Sequence, residues 1–104
     1  MKKDLEVALE VAKIFKLIKG ISPGKAVELR VPPYGVIQCG EGPIHRRGTP
    51  ANQVEMGADI LIHLAINPGS WSGLKDQGRI RASGLSSDLT NLFTQVSANY
   101  QAEI

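Results

Sequence analysis

One thiol and two imidazoles, with a scatter of guanidinium groups, are the side chains in this sequence that most invite a chemical reading. Cys39 is followed six positions later by His45, and Arg46 and Arg47 come directly after it. A neighbouring imidazole and guanidinium groups lower a thiol pKa and make a nucleophile, so this spacing could support thiol chemistry. The local pattern argues against it. Cys39 closes the run Val36-Ile37-Gln38-Cys39, which reads as a strand, and a strand cysteine beside valine and isoleucine behaves as a small hydrophobe. No catalytic residue is therefore assigned. His45 and His63 fall on different elements and there is no second cysteine, so no metal site and no cofactor are expected. His63, within an apolar helical run, is expected to be partly buried and structural.

Two stretches carry the remaining polar chemistry. Glu41, His45, Arg47, Thr49 and Asn52 lie in or beside a Gly- and Pro-punctuated segment, and Arg79 and Arg81 lie on a later strand. If that segment folded over the strand, Arg46, Arg47, Arg79 and Arg81 would meet Glu41 and Glu55, or an anionic headgroup. The plainer expectation is a solvated face with internal ion pairs. Nucleic acid is not an expected partner. Lys plus Arg outnumber Asp plus Glu by only 12 to 10, for a net charge of +2, and Tyr34 and Trp71 are not interleaved with the arginines as base-stacking platforms require.

The elements that would position these groups follow from periodicity. Apolar residues recur at three- and four-residue steps from Lys3 to Lys19, with Glu6, Glu10 and Lys13 as a narrow polar stripe, and Gly20 is expected to stop this first helix. Its wide apolar face is expected to pack mainly on a sheet, with an excess that leaves room for a second subunit or a membrane surface. Val27, Leu29 and Val31 alternate with Glu28 and Arg30 as a strand, Pro32-Pro33 ends it, and Val36 to Cys39 form a second strand. Gln53 to Met56 reads as a third. An apolar helix over Ile60 to Ile66 is followed by a short helix around Trp71 and Leu74 with Ser70 as its cap, a fourth strand over Arg79 to Ser83, and a last helix capped near Ser86 to Asp88.

These elements make one α+β domain over 1–104, a small, mainly antiparallel sheet of four to five strands covered by helices, with 97–104 expected to fray. At 104 residues, 42% hydrophobic and 21% charged, the chain can close one core. A single cysteine fits a reducing compartment, and charges interrupt any run long enough for export or membrane crossing, so a cytoplasmic protein without a transmembrane segment is expected.

The succession Asn52-Gln53-Val54-Glu55-Met56, an apolar helix, Asn67-Pro68-Gly69-Ser70 with a short helix, then Gly78-Arg79-Ile80-Arg81-Ala82-Ser83-Gly84 and a capped final helix resembles the carboxyl-terminal half of the sterol carrier protein fold. More narrowly, Arg30 to Gly35, Gln38-Cys39, Gly42-Pro43, His45, Arg47 to Pro50, Asn52, Val54 and Glu55 are similar to the pattern of an actinobacterial branch of small sterol-carrier-like proteins. Arg46 stands where that pattern has threonine, and Ala51 where it has proline. The resemblance implies a five-stranded sheet covered by helices, sometimes enclosing an apolar tunnel for acyl chains or sterols. It also implies a non-enzymatic domain that binds a small apolar or amphipathic, lipid-like ligand.

Candidate walls for such a tunnel are Ile60, Leu64, Trp71, Leu74, Leu92 and Phe93, all of which serve equally well as plain core. So short a chain needs most of its apolar side chains merely to stay folded, and the cavity is expected to be narrow or collapsed. Two other functions fit the same residues. One is a protein interaction module with a solid core and a polar docking loop, where the first helix leaves room for a dimer. The other, which the resemblance implies because related folds occur as tail domains of such enzymes, is an accessory domain of a thiol-dependent isomerase.

Overall fold

The computed structural model describes residues 2–42 and 52–102, with side chains over 4–42 and 52–101. The elements run α1 (Lys2–Ile21), β1 (Val27–Val31), β2 (Gly35–Cys39), β3 (Asn52–Met56), α2 (Ala58–Ile66), a 3₁₀ turn (Pro68–Ser70), α3 (Trp71–Asp76), β4 (Ile80–Ser83) and α4 (Thr90–Ala102). No helix among the described residues is long and apolar enough to cross a membrane.

Among the described residues the four strands form one sheet in the order β2-β1-β3-β4. The outer pairs, β1 with β2 and β3 with β4, are antiparallel, and β1 runs parallel to β3. The sheet is thus mixed and mainly antiparallel, as the alternation and turn chemistry predict. Strand pleating sends Val27, Leu29, Val31, Ile37, Cys39, Val54, Met56 and Ile80 to a buried face. Val11, Ile14 and Ile18 of α1, Leu61 and Leu64 of α2, and Phe93 and Val96 of α4 meet them there. Fully burying one such side chain contributes roughly 1.5–3 kcal/mol, so this contact between sheet and helices dominates the stability.

Three local expectations are corrected. Gly20 does not stop α1, which continues to Ile21. The backbone at Gly20 is not left-handed, and the chain turns instead at Gly24, which holds φ at 138°. The Ser70 hydroxyl donates back to the Asn67 carbonyl at 2.6 Å rather than capping α3. The last helix extends through Ala102 beyond the expected fray point at Ser97, because Tyr100 is buried and its hydroxyl donates to the Glu10 carboxylate of α1. The expected cap at the other end of α4 is present: Asp88 accepts the Thr90 N–H at 2.9 Å and the Thr90 hydroxyl at 2.6 Å. Those bonds hold the Asp88 carboxyl below its ordinary value.

The turn after α1 locks onto the end of β2. The Ala26 N–H donates to the Gly40 carbonyl at 3.1 Å, and the Gly40 N–H donates to the Ser22 carbonyl at 2.9 Å. A Cβ at Gly24 would sit 1.9 Å from the Gly40 carbonyl oxygen. Gly24→Ala is therefore expected to lose at least about 2 kcal/mol in equilibrium urea unfolding. Gly20→Ala, whose added methyl meets nothing within 4 Å, is expected to gain about 0.5–1 kcal/mol in the same measurement.

Candidate functional site

Among the described residues, Glu41 does not meet Arg79 and Arg81. His45, Arg46, Arg47 and Thr49 lie outside the described residues. Glu41 is exposed just past β2, at one edge of the sheet, whereas Arg79 and Arg81 flank Ile80 of β4 at the other. Three strand spacings of about 4.8 Å separate those edges, roughly 14 Å.

Register pairs Arg30 with Glu55 and Glu55 with Arg81, making one row across the solvent face of the sheet. The Glu55 carboxylate lies 3.9 Å from the Arg30 Nε and 3.9 Å from an Arg81 guanidinium nitrogen. Arg79 donates to Asp59 at 3.3 Å. At these distances and exposures each pair contributes little to stability, and Arg30, Arg79 and Arg81 share two carboxylates, those of Glu55 and Asp59. Arg79 and Arg81 are exposed and each stands beside a carboxylate of this chain.

Asn52 departs most from its expected place. It is the first residue of β3 rather than a loop residue, and it is 8% exposed. Its Nδ2 donates to the Ala26 carbonyl at 3.0 Å, and its Oδ1 accepts the Ser86 N–H at 2.9 Å. One amide thus clasps the start of β1 to the connection that enters α4. The types and spacing of the sequence contain no signal for this, because the two backbone partners are 26 and 34 positions away.

Cys39 is fully buried, and desolvation raises its pKa, the opposite of what a nucleophile needs. His63 is exposed on α2, not partly buried, because its position faces away from the helix layer. Among the described residues no group of three or more histidine, cysteine or acidic side chains stands in metal-ligating proximity.

The six candidate tunnel residues are all buried. Leu64 and Phe93 are fully so, and the rings of Trp71 and Phe93 are tilted at 31° with centroids 6.1 Å apart. None of them lines any of four well-formed concavities among the described residues. The most apolar of these lies instead between α1 and α4. It is an open groove of about 620 Å³ walled by Leu9, Lys13, Lys16, Leu17 and Ile21 with Asn99 opposite. Ala12 and Gly20 keep its floor low.

Sequence reasoning registered the signal for this groove as an apolar face on α1 wider than one sheet can cover. It did not locate the groove, because only the docking of α4 turns that excess into a cleft. Lys13 is held by Glu10 at 3.8 Å and lies 5.9 Å from the centre of the Tyr100 ring, whereas Lys16 has no ion-pair partner among the described residues.

A family described as the bacterial SCP ortholog, SCP being sterol carrier protein, matches residues 3–94. The chain belongs to the bacterial sterol carrier protein ortholog family. That match covers all of the fold up to the middle of α4, so the strand and helix succession that carries the resemblance in the sequence is the family's own. No curated protein matches the chain.

Two side chains make the polar framework of this sterol-carrier-like domain testable. Asn52→Leu leaves the Ala26 carbonyl and the Ser86 N–H without their side-chain partner, and is expected to cost about 1–3 kcal/mol in urea unfolding. Burial, then the hydrogen bond to Glu10 and its charge, push the Tyr100 hydroxyl up to about 12 from an ordinary value of 10.0. Folding therefore favours the neutral phenol. The resulting stability is intact below about pH 10 and is lost as pH rises through about 12, an effect of roughly 2 kcal/mol. Stability measured between pH 9 and pH 12 is expected to fall more steeply for the wild type than for Tyr100→Phe.

Proposed function

We propose that this domain is a non-enzymatic carrier that binds an amphipathic, lipid-like molecule in the groove between α1 and α4. The observation that carries this reading is the groove itself: about 620 Å³, walled by Leu9, Leu17 and Ile21, with the ammonium groups of Lys13 and Lys16 beside it. Leu9 remains 60% exposed, so an acyl chain laid along α1 removes apolar surface from water without displacing anything already packed. An anionic head would then lie beside Lys16. The family assignment supports a lipid-carrier role.

Placing the ligand among Ile60, Leu64, Trp71, Leu74, Leu92 and Phe93 asks more of the protein. Parting these side chains for a chain of roughly 250 Å³ would cost about 6 kcal/mol at ~24 cal/mol per Å³, comparable with the whole stability of a small domain. The groove requires no such opening.

Displacement of a fluorescent fatty acid tests the proposal. Binding is expected to weaken at least tenfold in Leu17→Trp, which fills the groove. Lys16→Glu is expected to weaken a carboxylate probe more than its methyl ester. Absence of probe binding, or binding unaffected by Leu17→Trp, would count decisively against the groove.

A further inference from the structure

Gly20 is a glycine that contacts within the described chain do not require. It lies within α1, its backbone is not left-handed, and the helical turn closes past it, where the Ser22 N–H donates to the Ile18 carbonyl at 2.8 Å. A Cβ at Gly20 would meet nothing within 4 Å. Glycine in a helix is destabilising relative to alanine, so the residue lowers stability without relieving any contact. Gly73 of α3 is equally unobstructed, but it lines none of the four concavities, whereas Gly20 lines the groove.

Helix geometry fixes where the missing side chain would have lain. Side chains lean toward the amino terminus, so a helical residue covers the turn before its own Cα. Gly20 therefore leaves bare the surface over Lys16 and Leu17, four and three residues back, both of which line the groove. The result is a notch one side chain wide, with Lys16 on one flank and Leu17 and Ile21 on the other. Lys16 is exposed and has no ion-pair partner among the described residues, whereas the Lys13 ammonium is drawn aside to Glu10 and the Tyr100 ring. The available ammonium thus borders the notch.

Resting on the lipid-binding reading of the groove, we infer that Gly20 selects its ligand: the notch seats a small anionic head, a carboxylate, against the Lys16 ammonium. The tail then points toward Leu9. Past Gly20 only Ile21 lines the groove, whereas Ala12 and Leu9 continue it the other way, Leu9 lying about 10 Å along the helix from Lys16. The methylene stem of Lys13 lies along that path and offers the tail apolar surface. A notch of one side chain admits a carboxylate but not a phosphocholine group, so the site discriminates by the size of the head.

Displacement of a fluorescent fatty acid by dodecanoate and by dodecylphosphocholine tests the inference. Dodecanoate is expected to compete at least tenfold better, the chains being equal in length. Gly20→Leu fills the notch and is expected to weaken dodecanoate at least tenfold, and Gly20→Ala to weaken it by less, while neither lowers the urea unfolding midpoint. A glycine needed only by the fold would give the reverse, a lower midpoint with binding kept. In nuclear magnetic resonance, stearate carrying a nitroxide near its carboxylate is expected to broaden the amide signals of Lys16, Leu17 and Gly20. Stearate carrying it near the methyl end is expected to broaden those of Leu5 and Leu9. The reversed pattern would overturn the inference, as would dodecylphosphocholine that competes equally well. Binding abolished by Leu17→Trp but indifferent to Gly20→Leu would keep the groove as the lipid site and remove Gly20 from recognition. Failure of every fatty acid to bind would remove both.

Discussion

The amide of Asn52 is the contact through which the sheet and the helix layer share one geometry. It is buried, it uses its donor on the Ala26 carbonyl and its acceptor on the Ser86 N–H, and it stands at the first position of β3. A buried amide with both ends satisfied stabilises modestly but constrains strongly, because leaving either partner unmade costs a full desolvation penalty. The clasp sets where the chain leaves the sheet to begin α4. At the far end of α4 the Tyr100 hydroxyl meets Glu10 of α1, and Gln101 donates to the Ile66 carbonyl of α2. Held near both ends, α4 brings Asn99 to the rim of a groove that α1 otherwise lines.

The two faces of the sheet follow opposite logic. On the buried face, β-branched and leucine side chains meet three helices, and the six candidate tunnel residues are all buried there. On the solvent face, Arg30, Glu55 and Arg81 make a row of alternating charge. Each exposed pair is weak, and Arg30 and Arg81 divide one carboxylate between them. Apolar surface without a partner is left on the outer side of α1, and that is where a carrier or docking role finds its physical basis.

Much of the fold was legible in the order of residues. Alternation at Val27, Leu29 and Val31, the proline pair after them, and the Gly78 to Gly84 motif placed the strands because period two, missing donors and glycine turns are local properties. Other features were not. Gly20 reads as a helix stop, but whether a glycine ends a helix depends on its backbone angles, and here Gly24 takes the left-handed turn. The end of α4 reads as a fraying tail because nothing near Tyr100 in sequence shows that Glu10 lies beside it. Whether Arg79 and Arg81 could meet Glu41 stayed open in the sequence because it does not show which strands are the sheet's edges.

The sequence by itself determined the class of fold, the family signature, the burial of Cys39 and the surplus of apolar surface on α1, since each follows from spacing within one element. Only the tertiary structure decided what that surplus faces. The cleft beside α1 and α4, the clasp at Asn52 and the ion pairs of the arginines all join residues from separate elements. Their existence depends on strand order and helix docking, which arise from the packing of the whole chain.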